Sequence, residues 1–139
     1  MTSRERIIAA VEHRQPDRVP VDCGSHRSSG IMAMGYERLR DYLGLPKRPV
    51  KVYDVIQQLA FIEDDVLERF PTDVVDVSRI FCRDDAGWKE WVLPNGSPCL
   101  IPDFVDMRRE GGDWYLYNGY GRKCGVMRAG SLYFDQVYW

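Results

Sequence analysis

The apolar pattern of this chain changes period near residue 80, and that change constrains its fold most. Before it, apolar residues recur at helical steps. After it, short runs alternate and are separated by Asn-Gly and Gly-Gly turns. The first part, residues 1–80, therefore reads as α/β and the second, 81–139, as an antiparallel β-meander.

In the first part, Thr2 and Glu5 form a capping box, and Ile7, Ile8 and Val11 make a short apolar stripe. Pro16 ends that helix, because proline cannot continue one and its predecessor avoids helical backbone. "VPVDC" follows as a strand. A second helix is expected from Ala33 to Leu43, with Gly44 as its C-terminal cap and Pro46 beyond. A third helical region is expected over 52–70, with Val55, Ile56, Leu59, Ile62, Val66 and Leu67 on one face. The acidic run Glu63-Asp64-Asp65 marks a restart and a solvated helix end. Asp73 to Ser78 reads as the next strand, and a strand–helix–strand unit predicts parallel pairing.

In the second part, "WKEWVL" and "CLIP" flank Asn95-Gly96, and "FVDMRR" and "WYLYN" flank Glu110 to Asp113. The aromatics Trp88, Trp91, Trp114, Tyr115, Tyr117, Tyr133 and Phe134 are expected as cross-strand pairs and local core.

Composition narrows the function class. A chain of 139 residues, 45% hydrophobic and 29% charged, can build a core, and a net charge of −2 leaves no basic footprint for nucleic acid. No apolar run approaches the roughly 20 residues of a membrane span. The N-terminus has no apolar region of signal-peptide type, so a cytoplasmic location is expected. Cys23, Cys82, Cys99 and Cys124 form no C-x-x-C pair and are expected as reduced, packed thiols; their spacing, even with His13 and His26, matches no zinc pattern.

The stretch "PDRVPVDCGSHRSSGI" has the form of a strand delivering a loop into a ligand pocket. Asp22 either faces that pocket or caps the following turn. His26 is a candidate proton carrier or a surface residue. Arg27 holds a substrate carboxylate or a surface salt bridge. Ser28, with Ser29 and Gly30, forms an anion-binding loop or only a helix start. Arg79, after the second strand, is a further candidate for the pocket.

"RERIIAAVEHRQPDRVPVDCG", "YERLRDYLGL", "VYDVIQQLAFIEDDVLERFPTDVV" and "GDWYLYNGYGRKCGVMRAGSLYFD" together resemble the N-terminal part of the uroporphyrinogen decarboxylase superfamily, which includes corrinoid-dependent methyltransferases. The resemblance implies the first portion of a (β/α)₈ barrel carrying a β-meander insertion. Such a barrel takes about 250 residues, so the remainder of the barrel would be a partner outside this chain. True decarboxylases carry Met-Arg-Gln-Ala-Gly-Arg after the first strand and an aspartate late in the second. Here "CGSHRSSGI" offers only Arg27, and the aspartate position falls on Ile80 or Arg79, although "RFPTD" at 69–73 matches.

The methyltransferase branch departs less. For the complete enzyme it implies methyl transfer between a corrinoid and a small acceptor such as a thiol. It also implies zinc, held by residues outside this chain, and possible contact with a corrinoid protein. The chain alone would be inactive. Uroporphyrinogen decarboxylation in porphyrin biosynthesis is one alternative, and a stand-alone, non-catalytic binding or assembly module is another.

Overall fold

A computed structural model describes residues 1–77, 82 and 84–137. Three helices and eight strands make two four-stranded sheets among these residues. Helix α1 spans Ser3–Val11 and begins with the expected capping box between Thr2 and Glu5. It stops before Pro16: Glu12 closes it and His13 takes φ 57, a left-handed conformation. "VPVDC" makes only a single parallel bridge, Asp22 to Val74. Helix α2 spans Ala33–Tyr42, close to expectation, and Gly44 follows it at φ 67.

The region expected as a third helix is different. Strand β1 covers Val50–Asp54, β2 covers Leu59–Ala60, and only α3, Asp64–Leu67, is helical. The cause is burial with period two: Val50, Val52 and Asp54 are buried while Lys51 and Tyr53 are half-buried. The apolar spacing that imitates a helix is shared among a strand, a tight turn and a second strand. The restart at the acidic run does occur, with Glu63 preceding α3. That run is no solvated end, since Glu63 and Asp65 both bind Arg40 and Arg48 at 2.7–3.1 Å.

Strands β3 (Trp88–Val92) and β4 (Pro98–Pro102) form the expected hairpin around Asn95-Gly96, with Gly96 at φ 89. Strands β5 (Asp106–Glu110), β6 (Asp113–Tyr117), β7 (Lys123–Met127) and β8 (Asp135–Gln136) form the antiparallel meander. The first sheet has the order β2-β1-β4-β3, with β1 and β4 parallel and the other pairs antiparallel.

This arrangement overturns the expectation of an N-terminal part of a (β/α)₈ barrel. A barrel of that type repeats strand and helix so that consecutive strands lie parallel. Here β1 returns at once as antiparallel β2, and its parallel neighbour is one arm of a hairpin from residues 88–102. One core cluster joins the two sheets: Tyr36, Val52, Val66, Leu93 and Ile101 pack with Leu116, Met127 and Phe134. No helix among the described residues is long and apolar enough to cross a membrane.

An ion-pair cluster ties α1 to the bridge at Val74. Arg6 bonds Asp17 at 2.6 Å and Asp73 at 2.5 Å, Arg18 bonds Asp73 at 2.7 Å, and the Val21 amide donates to Asp73 at 2.9 Å. Burial opposes the Asp73 charge, but the Val21 amide, Arg18, Ser3 and Arg6 outweigh it and hold the carboxyl well below the usual range. A carboxylate depressed on folding stabilises the native state above its unfolded pKa of about 4 and stops doing so as pH falls. Wild-type protein should therefore lose melting temperature steadily below about pH 4. Asp73→Asn should melt lower at neutral pH and show a shallower acid decline by circular dichroism.

Candidate active-site loop

The loop between Asp22 and Gly30 is organised by its own side chains. Asp22 accepts the Ser25 amide at 2.9 Å, which caps the turn. Burial opposes its charge, yet its hydrogen bonds from Ser25 and Ser29 leave the carboxyl below its ordinary range. Gly24 sits at φ 82, and a Cβ there would lie 2.6 Å from Ile62, so both backbone and space demand glycine. His26 precedes a single 3₁₀ turn, Arg27–Ser29, and its Nδ1 accepts the Ser28 amide at 3.2 Å, with the Ser28 hydroxyl 3.1 Å away. In the neutral ring this leaves the proton on Nε2.

Arg27 reaches outside the loop. Its Nε lies 2.6 Å from Oδ2 of Asp54, the last residue of β1. The Asp54 side chain is only 4% exposed, whereas that of Arg27 is 64% exposed. Asp54 Oδ1 meanwhile accepts the amides of Ile56 and Gln57, both at 3.0 Å, and so shapes the turn into β2. That turn ends at Gln58, fully buried at φ 57. The Gln58 carbonyl accepts the first amide of α2 from Ala33 at 2.7 Å, and its side-chain Nε2 donates to Val55. Its Oε1 has no partner among the described residues.

The consequence is an exposed guanidinium whose Nε lies against a buried carboxylate. A fixed guanidinium edge matches a carboxylate or phosphate. At the start of the loop, Cys23 and Ser25 join Phe61, Ile62, Val74 and Asp76 in lining a hollow of about 30 Å³, enough for a water-sized group. Burial, with the Asp22 charge, pushes the Cys23 thiol up, the opposite of an activated thiolate.

Of the residues singled out from sequence, Asp22, His26, Arg27 and Ser28 share this loop; Arg79 and the Ile80 position lie outside the described residues. His26 and Ser28 pair with each other, while Arg27 pairs with Asp54. Sequence reasoning missed Asp54 and Gln58. The signal for Asp54 was an aspartate ending "VKVYD", where alternation gives way to a turn.

The zinc that the resemblance implies would be held by residues outside this chain. No group of three His, Cys, Asp or Glu side chains that could hold a metal ion occurs among the described residues. Cys99 is buried, and burial pushes its thiol up to about 12.

Because Asp54 serves both Arg27 and the turn amides, its substitutions should separate the two roles. Asp54→Ala loses both and should cost about 3 kcal/mol in urea unfolding. Asp54→Asn keeps an acceptor for the amides and should cost clearly less, while amide exchange in residues 24–30 accelerates.

Searches against protein-family models, curated proteins and solved structures found no match to this chain.

Proposed function

We propose that this chain is a section of a larger enzyme acting on a small molecule, and that its 22–30 loop grips an acidic group of the substrate through Arg27. The observation that carries the reading is the buried Asp54 carboxylate 2.6 Å from Nε of Arg27, whose guanidinium is otherwise exposed. A positioned guanidinium loses less freedom on binding than a mobile one, and its planar fork orients the ligand.

The reaction class comes from the sequence resemblance: methyl transfer between a corrinoid and a small acceptor such as a thiol. The chain's contribution is binding and orientation, and alone it is inactive. A cytoplasmic location fits a substrate of that kind.

One observation favours a second reading. The two sheets share one buried core, Leu116 and Met127 packing with Val52 and Ile101. That is how a self-contained binding or assembly module is built. Against it stand Val19, Val75 and Val77, more than 60% exposed around the Asp22–Val74 bridge, where a parallel pair is ordinarily covered on both faces.

The test combines the chain with the polypeptide that completes the enzyme and follows methylcobalamin demethylation in the presence of thiol acceptors by absorbance. The reading predicts no turnover by the chain alone, turnover by the pair, and a KM at least tenfold higher for an acidic acceptor in Arg27→Gln. Turnover indifferent to Arg27→Gln, or uroporphyrinogen decarboxylation in its place, would contradict it. A chain that folds, melts and binds unchanged without any completing polypeptide supports the module.

A further inference from the structure

A second cleft lies between the two sheets. Three turns converge there, contributing Pro94 and Gly96 of the β3–β4 hairpin, Gly112 of the β5–β6 hairpin, and Ala129 to Leu132 between β7 and β8. They border a space of about 430 Å³. Clefts of that size hold small organic molecules, and loops gathered at the end of a rigid scaffold are where binding residues concentrate.

Register explains what lines the cleft. Arg109 of β5 lies opposite Trp114 of β6, and Trp114 lies opposite Met127 of β7. Directly opposed residues share a sheet face, so the three form one row across the meander, and all three line the cleft. Leu93 closes it from the other sheet and is 2% exposed. Trp91 packs edge-on against Trp114, with ring centroids 5.8 Å apart at 81°, which fixes the indole plane.

The charges around the cleft are unequal. Arg128 is bound to Asp113 at 2.7 Å, and the same carboxylate accepts the Ala129 amide at 2.9 Å. Asp113 is thereby neutralised, and Arg109 has no ion-pair partner among the described residues. The cleft thus combines an apolar, aromatic floor with one uncompensated cation, in a protein whose net charge is −2.

We infer that this cleft binds a flat, apolar molecule bearing a single carboxylate, with the ring against Trp114 and the carboxylate on Arg109. Aromatic surface and a fixed indole recognise the ring, and a guanidinium fork recognises the anion. The site is separate from the 22–30 loop and does not depend on the function proposed for it.

The probes are indole-3-acetate and its neutral counterpart indole-3-acetamide, titrated into ¹⁵N-labelled chain and followed by amide chemical shifts. The inference predicts saturable shifts at Gly112, Ala129 and Gly130 with the acid, and at least tenfold weaker binding of the amide. Arg109→Gln should weaken the acid to the level of the amide. Arg108→Gln, on the opposite face of β5 and paired with Asp106 in the wild type, should bind as wild type and controls for general loss of charge. Absence of saturable shifts, equal affinity for acid and amide, an Arg109→Gln variant that binds like wild type, or shifts mapped to residues 22–30 would each overturn it.

Discussion

The parallel pairing of β1 with β4 is the contact on which the rest of the molecule depends. Val50 pairs with Cys99 and Lys51 with Leu100, drawing together segments almost fifty residues apart. On one side β1 turns back into β2, whose neighbouring turn receives the start of α2. On the other side β4 carries β3 and Leu93, which packs within the same core cluster as Met127 and Phe134 of the second sheet. The end of β1 is Asp54, so the strand that integrates the core also supplies the carboxylate that positions Arg27. Fold and candidate site share one element.

Ion pairs at the margins do a different job. Arg40 is 4% exposed and bonds Glu63, Asp65 and the Pro46 carbonyl, joining α2 to the start of α3 and to the chain leading into β1. Its ring neighbour Tyr36 is fully buried and accepts the Glu63 amide at 3.0 Å. Buried ion pairs of this kind contribute modestly to net stability, because desolvation offsets attraction, but they penalise every arrangement that leaves a charge unpaired. Arg6 with Asp17 and Asp73 does the same for α1. The acidic and basic residues in the first 80 positions thus specify where short elements lie more than they add to the core.

Local signals were legible in the sequence wherever the chemistry is local. Thr2 and Glu5 announce the start of α1, Gly44 the end of α2, and Asn95-Gly96 and Gly111-Gly112 the two hairpins. The strand–turn–strand of residues 50–60 was not, because Val55, Leu59, Ile62 and Val66 satisfy a helical stripe and a folded-back ribbon equally well. The deciding fact is a left-handed Gln58, a conformation a non-glycine residue seldom adopts and that no spacing rule foresees. The parallel partner of β1 was equally hidden, since pairing over such a distance leaves no mark on either strand. The barrel expectation failed for that reason. The candidate loop was found from its small and polar residues, but the direction of Arg27 depends on Asp54, a residue that belongs to the missed strand. Likewise the aromatics of residues 88–134 were expected as local core; the Trp91–Trp114 contact instead joins the two sheets, and Trp114 lines the cleft between them.

If β1 integrates the chain, its amides must open only when the whole structure opens. Native-state hydrogen exchange on the 139-residue chain measures this directly. The account predicts that Val52 and Leu100 are protected to the same free energy as Leu116 and Val126 in the second sheet, so that both sheets exchange as one cooperative unit. Exchange of β1 and β2 at much lower free energy, while β6 and β7 stay protected, would contradict it and leave Asp54 unable to hold Arg27 in place.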